Sequence, residues 1–315
     1  MTHSGKDAPI PCQPSCPPPD PKPKKPDYTL PKGSVDSHCH VFGPVDRFPF
    51  AENRSYTPPE STLEAYQKLA LQLGFQRAVF VHTLCYRYRH ESLLDTLERG
   101  RGNYRGVALI SENMKDEDIA LFDLAGVCGA RINFIPYLGA SPSRNDIERI
   151  VSLVRPYGWH IALHTSGSGL LDMAEFIMNS DLPVVIDHLA RLCVEEGKDG
   201  ETFQALLRLL DTGHVWVKLS GIDRISRMVP PYTDALKLAR IVAKHAPERI
   251  LWGTDWPHPN KKGIMPNDGV MVDLIPKIVS SAEHQRMMLV DNPEKLFRFD
   301  TVRSETSKPI LSNSP

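Results

Sequence analysis

Four histidines and one aspartate stand at or near the ends of short apolar runs, and together these residue types could bind a metal ion and activate water. His38 and His40 end the run SVDSHCH, and His164 lies at the end of HIALHT. His188 ends PVVIDH, and Asp255 ends ILWGTD. Imidazole nitrogens and carboxylate oxygens are ligands of zinc, which lowers the pKa of a bound water. Random placement of 12 histidines would not concentrate four of them in this way.

The spacing His38-x-His40 suits chelation of one ion. Side chains two residues apart in a strand share a face, so both imidazoles point the same way and Cys39 points the other way, to packing. His164 would supply a third nitrogen, and Asp255 a fourth ligand that also accepts a proton from bound water. The set predicts one divalent ion, with zinc preferred and manganese or cobalt left open, because these ligands select weakly.

His188 has two interpretations, a core histidine satisfied by the backbone or a group that polarises a substrate carbonyl or orients the water. We favour the second because the residue ends its strand beside the other candidates. By strand alternation, the neighbouring Asp187 is predicted to face away from the site.

Eight apolar, β-branched runs must position these residues, and helix-like segments fill the gaps between them. The runs are Ser34–His40, Arg77–Thr83, Tyr104–Ile110, Gly129–Ile135, His160–Thr165, Pro183–His188, Val215–Ser220 and Ile250–Asp255. Strand and helix in alternation imply parallel strands joined by crossovers. We therefore predict an α/β fold, a (β/α)8 TIM barrel, whose chemistry lies at the carboxyl ends of the strands. An open doubly wound sheet is the alternative, but HVFGPVDRF after the first strand contains no Gly-rich phosphate turn.

Composition predicts how the two ends of the chain behave and which classes of binding partner are excluded. Ten of the 28 prolines fall in residues 1–32, which predicts a flexible Pro-rich arm before a barrel over 33–300 and a flexible tail over 301–315. Lys plus Arg number 37 and Asp plus Glu 38, a net charge of -1 that speaks against a nucleic-acid binder. No apolar run is long enough to span a membrane. Single cysteines among apolar residues suit reduced thiols and a cytoplasmic protein.

The motifs VDSHCHVFGP, VVIDH and WGTDWPHPN resemble those of the amidohydrolase superfamily, in the branch of 2-pyrone-4,6-dicarboxylate lactonase and metal-dependent 4-sulfomuconolactone hydrolase. The resemblance runs from about Gly33 to Phe299. It implies a barrel, hydrolysis of a small anionic lactone, Asp255 as the base that activates water, and carbonyl polarisation by the histidines of strands 1 and 6. It also implies substrate contacts from five residues: Arg131, Arg191, Arg224, His258 and Asn260.

Departures from the pyrone-dicarboxylate lactonases bear on the substrate. Those enzymes work without metal and have Tyr where this chain has His164. They carry a second arginine where this chain has Tyr137, and a GTDN-like loop where this chain has CYRYRH. If the strand geometry continued into that loop, Arg87 and Arg89 would both face the site and hold a carboxylate or sulfonate. Two exposed arginines in a solvated loop are the alternative.

The best match is a metal-dependent hydrolase that opens 4-sulfomuconolactone to maleylacetate and sulfite, in the degradation of aromatic compounds. The alternatives are a 2-pyrone-4,6-dicarboxylate lactonase or a metal-dependent decarboxylase of the same superfamily. Isomerisation of a sugar-acid lactone fits the resemblance too, but usually needs no metal. A non-catalytic binding module conflicts with the clustered ligand-type residues. The sequence predicts no oligomeric state.

Overall fold

The computed structural model of the chain describes residues 15–138 and 141–299 and contains an eight-stranded parallel sheet curled into a barrel. The strands follow one another around it in chain order. They are β1 (Val35–Cys39), β2 (Arg77–Val81), β3 (Tyr104–Leu109), β4 (Val127–Asn133), β5 (His160–His164), β6 (Val184–Ile186), β7 (Val215–Lys218) and β8 (Ile250–Leu251). Each overlaps one of the eight predicted runs, so the predicted (β/α)8 barrel is confirmed.

Helices cover the outside of the sheet. They are α1 (Leu63–Leu73), α2 (Glu91–Gly100), α3 (Asp116–Ala125), α4 (Arg144–Val154), α5 (Gly167–Asp172), α6 (Ala174–Met178), α7 (Glu201–Leu210), α8 (Ile222–Ile225), α9 (Thr233–His245), α10 (Asp268–Val272), α11 (Ile275–Ile278), α12 (Ala282–Arg286) and α13 (Asn292–Phe297). Across the described ranges, none of these helices has the length and apolar character needed to cross a membrane.

Two apolar layers hold the barrel together. One cluster takes residues from all eight strands, among them Val35, Val107 and Val185, so it fills the barrel interior, and Phe297 of α13 packs beneath it. The other lies between the strands and the helices and contains Cys39, which therefore packs as predicted. Val35 and Cys39 lie in different layers despite their even spacing because the register of β1 shifts between Asp36 and Cys39. Burial on both faces explains why the strands read as nearly continuous apolar runs.

The last strand joins the first through backbone hydrogen bonds that continue beyond β8. Ser37 donates its N–H to the carbonyl of Trp252 at 2.9 Å, and Asp255 donates its N–H to the carbonyl of His38 at 2.8 Å. The buried carboxylate of Asp36 accepts from the Thr254 backbone N–H at 2.9 Å. This seam, formed by residues 36–40 and 252–256, fixes Asp255 beside the His-x-His segment.

The N-terminal segment over residues 15–32 has no helix or strand, yet it lies against the barrel. Ser15 donates its backbone N–H to the Thr57 carbonyl at 2.7 Å, and the Tyr28 hydroxyl donates to Gln285 at 2.8 Å. These hydrogen bonds fix the path of the segment over 15–32, and the predicted boundary between the arm and the barrel at residues 32 and 33 stays a prediction. The rest of the predicted arm, 1–14, and the predicted tail, 301–315, lie outside the described residues.

Gly253 tests how tightly the seam is packed. A Cβ at this position would lie 2.6 Å from the backbone nitrogen of His38 and 2.7 Å from its Cβ. We expect Gly253→Ala to lower the free energy of unfolding by about 1–3 kcal/mol, because overpacked backbone cannot move aside cheaply. Chemical denaturation measures the change. Gly167→Ala is the control, since its Cβ would make ordinary contacts beginning at 3.4 Å from Thr202. Equal stability of the two variants would contradict the tight seam.

Candidate active site at the carboxyl ends of the strands

The carboxylate of Asp255 lies at the centre of the site and is surrounded by three imidazoles. Its Oδ1 atom is 3.3 Å from Nε2 of His40. The same oxygen lies 3.7 Å from Nε2 of both His38 and His188. All four side chains are buried. A single carboxylate oxygen therefore faces three ring nitrogens at 3.3–3.7 Å, distances that leave no room for a water between them.

Arg224 holds the other oxygen of this carboxylate. Its Nε and one terminal nitrogen both lie 2.6 Å from Asp255 Oδ2. The guanidinium also donates to the Pro259 carbonyl at 3.0 Å, which fixes its plane. Burial is the largest single effect on Asp255 and opposes its ionisation, but Arg224 and the three surrounding histidines together outweigh it and hold the pKa of the carboxyl well below its usual range. Oδ1 is thus a charged acceptor that is free to face a substrate water.

His188 and Arg191 reach the site from a left-handed turn that follows β6. The four residues from His188 to Arg191 have φ between 47° and 52°, a conformation that costs non-glycine residues about 1–2 kcal/mol each. Gly221 makes room for it, since a Cβ there would lie 2.9 Å from the His188 Cβ. Nδ1 of His188 lies 2.9 Å from the Ser220 hydroxyl, which orients the ring.

A buried lysine lies beneath the histidines. The ammonium of Lys218, at 0 % exposure, is 3.0 Å from Nδ1 of His38 and 3.1 Å from Oδ1 of Asp187. Asp187 is also 3.4 Å from His38 and 3.4 Å from Arg131. The prediction that Asp187 faces away is wrong, because Val185 lies in the interior cluster and alternation places Asp187, two residues later, on the same face. His188 is the residue that departs from alternation, through its left-handed backbone.

Burial keeps the histidines of the site neutral. Desolvation lowers the pKa of His188 to about 4 and lowers the pKa of His38 and His40 as well. Nδ1 of His40 lies 2.7 Å from the Val81 carbonyl and therefore donates to it, so the lone pair of Nε2 faces Asp255. Neutral imidazoles with an available lone pair are what a metal ion requires.

Three of the four predicted ligands lie close enough together to bind one divalent ion. His38, His40 and Asp255 each offer one ligand atom, and these three atoms lie within 4.8 Å of one another. A second group of the same kind joins His38 to Asp187 and His188. Nε2 of His38 is buried without a hydrogen-bond partner. Two imidazoles and a carboxylate are a donor set that zinc accepts, so these residues fit an ion.

His164 belongs to neither of these two groups, although it was predicted as the third nitrogen ligand. Its ring is buried, and its centroid lies 5.8 Å from that of His188. Among the described residues, neither ring nitrogen has a hydrogen-bond partner. His164 is the last residue of β5 and lines the same cavity as Asp255.

Four of the five substrate contacts implied by the resemblance line this cavity: Arg131, Arg191, Arg224 and Asn260. Arg191 donates to the hydroxyl of Tyr137 at 2.8 Å, so the tyrosine that stands where an arginine was expected is itself part of the wall. His258 is the exception. Its Nε2 lies 3.1 Å from Asp268, and its buried ring braces the loop instead of lining the cavity.

The loop after β2 does not place both of its arginines in the site. Residues 84–88 form a turn, so the strand alternation assumed for Arg87 and Arg89 does not apply. Arg89 is exposed. Arg87 lines a neighbouring cavity that shares Leu84 and Arg131 with the site, and donates to the Asn53 carbonyl at 2.9 Å.

Sequence reasoning missed Lys218, although a signal was present. The run VWVKLS places one charged residue inside an otherwise apolar strand. A buried charge must have a partner, so such a lysine indicates a carboxylate on a neighbouring strand. The partner, Asp187, follows β6, which pairs with β7.

Removing Lys218 should show how strongly the fold is destabilised when the buried Asp187 carboxylate loses its ammonium partner. We expect Lys218→Met to lower the free energy of unfolding by about 3–5 kcal/mol, because it leaves the buried Asp187 carboxylate with Arg131 as its remaining cation. The double variant Lys218→Met with Asp187→Leu should recover much of this loss. Denaturant unfolding measures both. Lys237→Met, on the exposed face of α9, is the control, and a Lys218→Met protein as stable as this control would contradict the pairing.

Comparisons with known proteins identify the family of the chain. A family profile described as Amidohydrolase matches residues 35–299. The chain is 37% identical over 284 residues to 2-pyrone-4,6-dicarboxylate hydrolase of Comamonas testosteroni, covering 87% of this chain and 93% of that protein. It is 37% identical over 273 residues to 4-sulfomuconolactone hydrolase of Hydrogenophaga intermedia, covering 86% and 90%.

Among solved structures, an apo crystal structure from Agrobacterium tumefaciens superposes with a TM-score of 0.80 at 29% sequence identity. The match covers 88% of this chain and 100% of that one. The similarity thus extends over the whole barrel and includes the seam and the strand ends that carry the histidines. The chain belongs to the amidohydrolase family.

Proposed function

We propose that this protein hydrolyses a small anionic lactone. One observation carries the proposal: the free oxygen of an arginine-bound carboxylate, Asp255 Oδ1, faces three buried imidazoles in a cavity lined by arginines. The carboxylate suits the removal of a proton from water, and the arginines suit an anionic substrate. The relatives named above act, by their names, on lactones that carry carboxylate or sulfonate groups.

The residues suggest a sequence of proton transfers. Asp255 Oδ1 takes a proton from a water whose oxygen bonds to the lactone carbonyl carbon. The bond between that carbon and the ring oxygen then breaks, and Asp255 returns the proton to the departing oxygen. The Ser220 hydroxyl can donate to Nδ1 of His188, which leaves the proton on Nε2, and this N–H can stabilise the developing oxyanion.

We further propose that one divalent metal ion, zinc before others, is held by His38, His40 and Asp255. A bound ion would supply Lewis-acid polarisation and a lower pKa for coordinated water. His164, the fourth member of the predicted set, would then orient the substrate or complete the ligand set after a side-chain movement. Its two unpaired buried nitrogens support either role.

We propose 4-sulfomuconolactone as the substrate. The site combines the cations Arg131, Arg191, Arg224 and Lys218 with the carboxylates Asp187 and Asp255, so it carries an excess of positive charge that suits a dianion. Opening of this ring leaves oxygen and sulfonate on one carbon, and collapse to the ketone expels sulfite. Water is consumed, and maleylacetate and sulfite are the products.

A substrate panel tests the proposal directly. Purified protein is offered 4-sulfomuconolactone, 2-pyrone-4,6-dicarboxylate and a sugar-acid lactone, and ring opening and sulfite are followed separately. Sulfite release with the first compound would support the specific substrate. Turnover of 2-pyrone-4,6-dicarboxylate alone would support lactone hydrolysis but overturn the proposal that 4-sulfomuconolactone is the substrate. Carbon dioxide release would favour the decarboxylase alternative.

Asp255→Asn should remove the proton acceptor while preserving shape. We expect kcat/KM to fall by about 10²–10⁴-fold, the usual contribution of a general base. Steady-state assay of lactone hydrolysis measures the loss. Asp199→Asn, at an exposed position, is the control. An Asp255→Asn protein that retains full activity would exclude this residue as the base.

Metal content tests the proposed ion independently of activity. Protein purified from metal-supplemented medium should contain about one zinc per chain, and His40→Ala should lose most of it because a ligand is removed. Elemental analysis of both proteins makes the measurement, with exposed His245→Ala as the control. His164→Tyr should keep the ion if three donors suffice. Metal-free wild-type protein with full activity would rule the ion out.

A further inference from the structure

A second cavity opens beside the catalytic one and shares two wall residues with it, Leu84 and Arg131. Its walls are partly apolar, from Ile110, Ile132 and Ile150. Because Leu84 and Arg131 border both spaces, the side cavity begins within one side chain of the cavity that holds Asp255.

Three residues that line this side cavity each carry a buried polar atom with no hydrogen-bond partner among the described residues. The atoms are Nε of Arg87, Nε of Arg131 and Oδ1 of Asn133. Arg131 and Asn133 are more than nine-tenths buried. Buried polar atoms are nearly always paired, and an unpaired set around one space indicates a ligand or water. Two guanidinium donors on one wall suit a carboxylate or a sulfonate.

The position of Arg87 is defined by its backbone. The residue adopts φ of 54°. Its carbonyl lies 2.9 Å from Nε2 of His82, and its N–H donates to the Leu84 carbonyl at 3.2 Å. An unfavourable backbone conformation persists where surrounding contacts enforce it, often at a ligand site. The turn thus presents Arg87 to the side cavity and leaves Arg89 outside.

Two acidic residues at the cavity wall limit where an anion can lie. Glu112 accepts hydrogen bonds from Ser111 and Asn113, and Asp146 accepts from Ser143. Both carboxylates are engaged by chain neighbours and repel a ligand anion. The favourable place for an anionic group is therefore the end that lies near Arg87 and Arg131.

We infer that this side cavity binds the longer anionic arm of the substrate, a carboxymethyl group, through Arg87 and Arg131, with Asn133 accepting a hydrogen bond from a bridging water. The identity of the ligand rests on the lactone hydrolysis proposed above. Arg87 is then a specificity-determining residue that recognises the arm and has no part in proton transfer. Binding of the arm also fixes the rotation of the lactone ring about Asp255.

Arg87→Met tests the inference, and Arg89→Met is a matched control two residues away. The substrates are a γ-lactone with a carboxymethyl arm and the same lactone without it. We expect Arg87→Met to raise KM for the first by about 10–100-fold, with little change in kcat and no change for the second, because one charge-assisted contact is lost. Arg87→Lys should restore part of the affinity, and Arg89→Met should behave as wild type.

Calorimetric titration with a γ-lactam that bears the same arm, and with the unsubstituted γ-lactam, separates binding from hydrolysis. Arg87-dependent binding of the arm-bearing lactam supports the side cavity even if wild-type protein opens no lactone, an outcome that would overturn only the proposed function. Hydrolysis in which Arg87→Met affects both lactones equally, or neither, would overturn the side cavity and leave the proposed function standing.

Discussion

The site depends on the seam between the last strand and the first. β8 is only two residues long. The residues that follow it, up to Asp255, are therefore no longer part of the regular strand ladder. Backbone hydrogen bonds from residues 252–256 to residues 36–40 take over, and the N–H of Asp255 donates to the carbonyl of His38 itself. The same contact that closes the barrel therefore sets the distance between the central carboxylate and two of its imidazoles.

Charge compensation provides the second constraint. Lys218 and Asp187 form a pair at 0 % exposure below His38, and Arg224 neutralises Asp255 above it. Each carboxylate has a fixed cation, so the remaining positive groups of the mouth are free to meet a substrate. This arrangement explains how a chain with a net charge of -1 presents a cationic cavity. It also explains why the histidines of the site are neutral, because burial and the nearby cations both disfavour their protonation.

The order of the strands and the residue types at their ends could be predicted from the sequence. Both depend on the alternation of apolar strand-like and helix-like segments and on the geometry of parallel barrels. His38, His40, His188 and Asp255 were predicted together and lie together. The failures lie where the chain leaves the strands. Val185 faces the barrel interior, so regular alternation carries Asp187 inward, and the left-handed turn that begins at His188 brings His188 inward as well. The turn after β2 separates Arg87 from Arg89. The role of His258 left no local pattern, because its partner Asp268 lies ten residues farther along the chain. Lys218 did leave one, as the single charge in an apolar strand, but its partner Asp187 follows a different strand.

The seam has a consequence for how activity is lost on heating. Local opening begins where the chain leaves the regular strand ladder, and the join between β8 and β1 relies on hydrogen bonds outside that ladder. Separation there would carry the Asp255 carboxylate away from its imidazoles while the other seven strands stay paired. Thermal inactivation of this protein would then precede the cooperative melting of its barrel, as a local event at one joint.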